Sequence, residues 1–448
     1  MTRNGLRHCR VMTLVGVVAG ALAIGLWSSI ADAATPNTVS QWNQITENSV
    51  VGSGVFQNEG LVYMAYVSAA VYDAVVAIES GYQPYGPGVT APAGASVDAA
   101  VIEAAYRTLV NYFPAQAMSL DQLYMAALAA IPDGQAKADG QSVGLAAANL
   151  IIGLRASDGR MTPIGTTSGF PTLAPGPGVW RLTPPAFAPP QTPWVGKMVP
   201  FLLDSPDQFL PDPPPSLSSA EWIEAFNEIE LYGSATSAAR TAEQTAIALF
   251  WTANAIRQYN RAVRDVIEAL GLSLLESARL QAMVNVVGAD AQIAVMNAKY
   301  HYLLWRPVTA IDPTSVKPSG DLFGPVPGYD DGNPVTIEQS GWRPLAATPN
   351  HPEYPAAHGS FTSAMAEVFR TFLDTNHFNL RILGFDPAGS PGNMDAVQIF
   401  STPGELRNQI IDARMWAGLH YRFSTVAGVV LGRQVAKHDL RLGFQPLQ

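Results

Sequence analysis

The chain has 448 residues, of which 48% are apolar and only 14% charged, with a formal net charge of −10 at pH 7. That length supports one large or two moderate domains with a substantial core. The acidic balance argues against nucleic acid as a partner. The single cysteine, Cys9, leaves no disulfide, Cys–zinc site or cysteine nucleophile beyond the N-terminal segment.

Arg3, Arg7 and Arg10 form a basic start, Val11–Ile30 is apolar, and Ala31-Asp32-Ala33 is a small-x-small cleavage site. Residues 1–33 therefore read as a secretory signal peptide, with an uncleaved anchor as the alternative because the apolar run is long. There is no Arg-Arg pair to suggest a twin-arginine route. The expected mature protein is secreted or periplasmic. No later stretch reads as a bilayer span, since Met64–Ile78 is interrupted by Asp73.

Apolar residues at 62, 66, 70, 74 and 78 predict a helix over 57–80. Ala-rich helices are expected over Ala99–Phe113, Leu120–Ile131 and Ala136–Arg155, separated by Pro114 and by Pro132-Asp133-Gly134 and closed by Asp158-Gly159. These four suit one bundle. From Met161 to Pro215 proline is frequent, yet Trp180, Phe187, Trp194 and Phe201 are too apolar for a disordered linker. The segment reads as extended chain laid across the helices.

Ser218 with Glu221, Thr241 with Gln244 and Ser273 with Glu276 are capping-box patterns that open three helices. The first is expected to reach about Tyr232. The third should be long and run to Trp305, with Pro307 forbidding continuation. Pro307–Pro355 is too long for a mere connector and suggests a functional loop. Further helices are expected over about 359–373, from Thr402-Pro403-Gly404-Glu405 to about Leu419, and from a Ser424 cap to about Leu440. No strand alternation of any length and no repeat period is visible. The fold class is all-α, with residues 34–217 as one helical bundle plus the Pro-rich segment and 218–448 as a second bundle.

The chemistry concentrates in that second half. Lys299 and Arg306 are seven residues apart, two helical turns, and so project from one face if the helix continues between them. Arg414 and His420 are six apart, and His358 follows a Pro-bounded loop just before a helix N-terminus, where backbone N–H groups favour an anion. Arginine offers planar bidentate recognition and lysine a point charge. Singly, each is an ordinary surface cation or core histidine. Together, in a charge-poor chain, they form the donor set of a tetrahedral oxyanion site.

Lys299-x6-Arg306-Pro307, Pro355-Ala356-Ala357-His358 and Arg414-x5-His420 resemble the three-part signature of the vanadium-dependent haloperoxidase and type 2 phosphatidic acid phosphatase superfamily. The motif resemblance covers about residues 290–440. The Ala-rich N-terminal half and the segment around Phe187–Pro215 also resemble exported bacterial members of the haloperoxidase-like branch. The resemblance implies two helical bundles and a vanadate cofactor, or no cofactor in a phosphatase. It implies that Lys299, Arg306 and Arg414 hold equatorial oxygens with help from the Ala357 N–H. His420 would be the apical vanadium ligand or a phosphohistidine nucleophile, and His358 the general acid–base. Asp290 would orient an arginine of the site, and His351 would favour bromide or iodide over chloride.

The chain departs from the family pattern at Ala356-Ala357, where Ser-Gly is usual, and at Ser424, where an acid often follows the apical histidine by four residues. Loss of one oxyanion donor costs on the order of 10²–10³ in rate where nothing replaces it. The implied partners are hydrogen peroxide and halide, or a phosphate ester, and a homodimer is left open. The main alternative is a soluble phosphomonoesterase, and a further one is a non-catalytic oxyanion-binding protein. A zinc site from His351, Glu353 and His358 and a calcium site at Asp330-Asp331-Gly332-Asn333 are weaker alternatives. P-loop, dinucleotide and serine-elbow motifs are absent.

Overall fold

A computed structural model describes residues 37–160, 167, 169–171, 173–174, 176–315, 330–385 and 395–447. The signal peptide expected at 1–33 lies outside the described residues, as do parts of the Pro-rich segment and residues 316–329 of the long loop. The described chain falls within one compact unit.

The N-terminal helices are α1 (Thr38–Gly52), α2 (Gln57–Glu79), α3 (Val97–Tyr112), α4 (Ala117–Ala129) and α5 (Gln135–Leu154). The last four match the sequence expectation closely; α1 was not foreseen. Asn37 caps α1 through its side chain on Ser40 N, and Ser96 caps α3 on Ala99 N. By length and composition α2 would cross a membrane, but 89% of its apolar window is buried among other helices. It packs on α3, on α5 and on the long helix α9 described below.

The Pro-rich segment is laid on the helices as expected. A short 3₁₀ turn over Pro193–Lys197 sits against α9, and Trp180, Trp194, Val195 and Met198 are buried. Gly196 is required there, because a Cβ would collide with Asn297 N of α9.

The C-terminal part contains α6 (Ala220–Gly233), α7 (Ala242–Phe250), α8 (Ala255–Leu270), α9 (Leu274–Tyr302), α10 (Pro307–Ile311) and α11 (Ala357–Phe372). It continues with β1 (Leu380–Gly384), β2 (Ala396–Phe400), α12 (Pro403–Trp416) and α13 (Arg422–Leu442). Capping boxes form at Thr241 and Ser273, whereas α6 is capped by Ser219 rather than Ser218. The fold is mostly helical, with one correction: β1 and β2 pair antiparallel, Leu380 opposite Phe400 and Gly384 opposite Ala396.

Three further differences bear on the site. Helix α9 ends at Tyr302 rather than Trp305, with Leu303 in the left-handed region at φ 50°. Pro307 does not merely stop a helix; it sits at the first position of α10, where its missing N–H is harmless. Ser424 is inside α13, whose N-cap is Tyr421. Helix α9 is 29 residues long and buried on nearly every side from Ser277 to Tyr300. A helix buried all round is the central one of its domain. α2, α11 and α13 surround it.

Candidate active site

The site is built at the C-terminal end of α9 and the ends of α11, α12 and α13. Lys299 lies in the last turn of α9, fully buried, and its Nζ donates to Pro352 O at 2.9 Å and Glu353 O at 2.8 Å. After Leu303 the chain is extended, and Arg306 is the N-cap residue of α10. Lys299 and Arg306 are thus not on one continuous helix. A turn at Leu303 and an extended step bring them to the same place.

The loop 351–356 is stitched between two segments: Glu353 N donates to Leu304 O at 2.9 Å, and Ala356 N to Ser424 O at 3.0 Å. Ala356 then caps α11 without a side-chain hydrogen bond, putting Ala357 and His358 in its first turn. First-turn N–H groups have no intrahelical acceptor and favour anions. Arg414 is in the last turn of α12, and Gly418, at φ 76°, turns the chain so that His420 faces the same centre. A Cβ at Gly418 would collide with Gly233 O.

Arg306 is the hub. Its Nε donates to His351 O at 2.9 Å and its Nη1 to Leu419 O at 2.9 Å. Nη1 lies 3.1 Å from His420 Nε2, and Nη2 lies 3.0 Å from His351 Nδ1. A guanidinium only donates, so His420 Nε2 accepts. His351 Nδ1 lies between that guanidinium and the Pro352 carbonyl oxygen, 3.1 Å away. On its other nitrogen, His420 Nδ1 stands 2.8 Å from Glu353 Oε1. Arg414 donates to Trp251 O at 3.1 Å, while its buried Nε has no partner.

Burial dominates the electrostatics. It pushes Lys299 well below the ordinary lysine value, helped by Arg306 and opposed by Glu353. It pushes Arg306 down to about 10, and Arg414, with Arg306 repelling it, down to about 9. His351, His358 and His420 are held well below the usual imidazole value by burial and then by the nearby cations, so they are neutral at pH 7. Glu353 is raised to about 7 by burial, against the pull of Lys299 and Arg306. Three buried cations face one carboxylate. Buried charges require compensation, and a bound oxyanion would supply it.

A cavity of about 90 Å³ opens on this centre, lined among others by His351, His358, His420, Tyr259, Gln258 and Met296. A wider cleft of about 430 Å³ reaches His358 and Arg414 past Leu249, Phe385 and Leu419.

The structure thus brings together Lys299, Arg306, His351, Ala357, His358, Arg414 and His420. It does not use Asp290 as expected. Asp290 accepts the backbone N–H groups of Phe201 at 2.6 Å, Leu202 at 2.7 Å and Leu203 at 3.2 Å, pinning the Pro-rich segment to α9 instead of orienting a site arginine. The acid on the site is Glu353, which the sequence suggested only as a zinc ligand; its signal was a lone carboxylate in a charge-poor chain, two residues after His351. Among the described residues no group of three or more His, Cys, Asp or Glu is arranged for a metal ion.

Comparison with known proteins agrees with this geometry. Residues 279–445 match the family described as the VCPO second helical-bundle domain. A bacterial vanadium-dependent iodoperoxidase superposes with a TM-score of 0.73 at 22% identity, covering 92% of this chain and 99% of that one. The fold is that of the vanadium haloperoxidases. A bacterial vanadium-dependent chloroperoxidase in its holo form gives a TM-score of 0.65 at 17% identity, over 88% and 92% of the two chains. The vanadium chloroperoxidase of Curvularia inaequalis is 26% identical over 288 residues, 52% of this chain. This chain spans only 46% of the length of that curated relative. Together these matches support the haloperoxidase superfamily that the three motifs resemble.

Proposed function

We propose that this chain is an exported vanadate-dependent haloperoxidase that oxidises bromide or iodide with hydrogen peroxide. The observation that carries the reading is the buried cage: Lys299, Arg306 and Arg414 around a neutral His420, with one carboxylate to balance them. The unpartnered Nε of Arg414 fits an oxyanion, as do the first-turn N–H groups of α11.

Lys299, Arg306, Arg414 and the Ala357 N–H would hold the oxygens of vanadate, with His420 Nε2 as its protein ligand. Vanadate bound there supplies a Lewis-acidic centre that activates hydrogen peroxide toward halide. His358, neutral at the edge of the cavity, takes a proton from the incoming peroxide and returns it to the departing oxygen. His351, a neutral imidazole in the cavity wall, suits a large, weakly hydrated halide.

A second reading has one observation in its favour. A neutral His420 with its Nδ1 on Glu353 and a lone pair on Nε2 is also what a phosphohistidine nucleophile needs. Purified protein saturated with orthovanadate should oxidise bromide and iodide faster than chloride. Phosphate monoester cleavage by vanadate-free protein, with no halide oxidation after loading, would replace the haloperoxidase reading by the phosphatase one. Export is tested by N-terminal sequencing of the processed protein, which should begin at Ala34.

A further inference from the structure

We propose that Glu353 is the positioning carboxylate of His420, fixing its ring as the Nδ1–H tautomer with Nε2 presented to the oxyanion. The inference deepens the oxyanion-site reading and rests on it.

Both ring nitrogens of His420 have partners whose roles are fixed by chemistry. Arg306 Nη1, 3.1 Å from Nε2, only donates, so Nε2 is an acceptor. Glu353 Oε1, 2.8 Å from Nδ1, accepts, so Nδ1 carries the proton. The opposite tautomer would set a proton against a guanidinium and a lone pair against a carboxylate.

Glu353 is rigidly held for this task. It is fully buried, its N–H donates to Leu304 O at 2.9 Å, and its carbonyl accepts from Lys299 Nζ at 2.8 Å. Its Oε1 also accepts from Tyr421 N at 3.1 Å, locking the carboxylate to the residue after His420. One residue therefore ties a cage cation through its main chain and the ring of His420 through its side chain. Ser424, buried in the first turn of α13, donates through its hydroxyl to the main-chain carbonyl of Glu353 at 3.4 Å. Position 424 therefore borders Glu353, and a carboxylate placed there is a rescue to test.

Among the described residues Glu353 is also the carboxyl hydrogen-bonded to the cage. That gives the proposal a signature that a merely structural role lacks. Glu353→Gln keeps the shape and removes the charge, so affinity for inorganic phosphate should hold or rise, while turnover falls at least tenfold because the tautomer is no longer enforced. A structural lesion would lower both.

The decisive measurement is the long-range ¹H–¹⁵N spectrum of ¹⁵N-histidine-labelled protein, with His420 assigned by its loss in His420→Gln. In the unmodified protein it should show a protonated Nδ1 and an unprotonated Nε2. Glu353→Gln should mix the tautomers, and Ser424→Asp in that background should restore the spectrum and most of the turnover. A protonated Nε2 in the unmodified protein overturns the proposal, as does full turnover in Glu353→Gln. If the protein oxidises no halide and cleaves no phosphate ester, the functional reading fails, while the spectrum and the phosphate titration still decide this one.

Discussion

Arg306 Nη1 stands 3.1 Å from His420 Nε2, the ring nitrogen that an oxyanion would engage. The same guanidinium reaches His351 Nδ1, His351 O and Leu419 O, so its plane is set from four directions. An incoming anion competes for Nη1 but leaves the other contacts to hold the arginine in place. Preorganised donors in a dry site stabilise developing charge without reorganisation.

Arg306→Lys keeps the charge and loses the fork. An ammonium cannot serve His351, Leu419 and His420 from one point. Charge-assisted hydrogen bonds contribute about 1.5–3 kcal/mol each, so affinity for orthovanadate or inorganic phosphate should fall roughly 10- to 100-fold. Titration calorimetry reads this directly, and an affinity equal to that of the unmodified protein would remove Arg306 from the anion-binding set.

A second prediction concerns Asp290 and Asp439, buried carboxyls on α9 and α13 and distinct from the cage. Burial raises Asp290 to about 6 despite its three N–H donors and the attraction of Arg155. Burial also raises Asp439 well above the usual carboxylate range, with Asp290 repelling it; Asp439 Oδ1 has His438 Nδ1 at 3.3 Å, and Oδ2 has no partner. A carboxyl raised in the folded state takes up a proton on folding. Its contribution is therefore full below the unfolded value near 3.8 and lost as pH rises through the folded one. For Asp290 that window, 3.8 to about 6, corresponds to about 3 kcal/mol. Thermal melts should show stability declining across it, and Asp439→Asn should make the decline shallower. An identical slope in the variant would show that the two carboxyls do not communicate.

Much of this architecture was legible in the sequence, for reasons tied to particular residues. Alanine-rich runs bounded by Pro114 and Pro132-Asp133-Gly134 could only be helices, and Thr241 and Ser273 announced their caps. The cage was legible because Lys299, Arg306, Arg414, His358 and His420 stand beside apolar runs in a chain with little charge. The hairpin was not, because Leu380–Gly384 and Ala396–Phe400 are five residues each, too short to show alternation. Asp290 was misread although geometry forbids the role: nine residues is two and a half turns, which sets it on the face of α9 opposite Lys299. Glu353 and His420 are 67 residues apart in sequence, and only the tertiary fold reveals that one holds the other.

Helix α13 approaches α11 closely through glycines, and this sets the position of His358. A Cβ at Gly432 would overlap Ser360 O, and one at Gly428 would overlap Ala356 O. Alanine is the better helix former by about 0.8–1.0 kcal/mol. Against that, the colliding atom is backbone and cannot rotate away, and overpacking costs about 1–3 kcal/mol. The clash should win. Gly432→Ala is expected to lower the urea midpoint and to reduce halide oxidation more than global stability explains, by pushing the first turns of α11 outward. A variant with higher stability and full activity would show that the two helices separate without cost.

Ala356 offers the sharpest test of whether a missing donor limits the site. It is the N-cap of α11, fully buried, and no side chain caps that helix. Its N–H and carbonyl are already committed to Ser424 O and Ser360 N, so the backbone conformation is fixed and extended, as a capping serine requires. In Ala356→Ser the new Oγ accepts from a first-turn N–H, which favours the helix by about 1 kcal/mol. Its own proton remains free to donate toward the oxyanion between Lys299, Arg306 and His420. One such donor is worth 10²–10³ in rate where it has been removed from an adapted site; added to a cage that already has three cations, it should give about tenfold. The expected outcome is a raised melting temperature together with faster bromide or iodide oxidation at saturating orthovanadate. The competing effect is crowding: Gly428 packs on the Ala356 carbonyl, and an extra oxygen in that space costs stability unless it finds its donor. A lower melting temperature with unchanged turnover would mean that packing against α13, rather than chemistry, dictates alanine at this position.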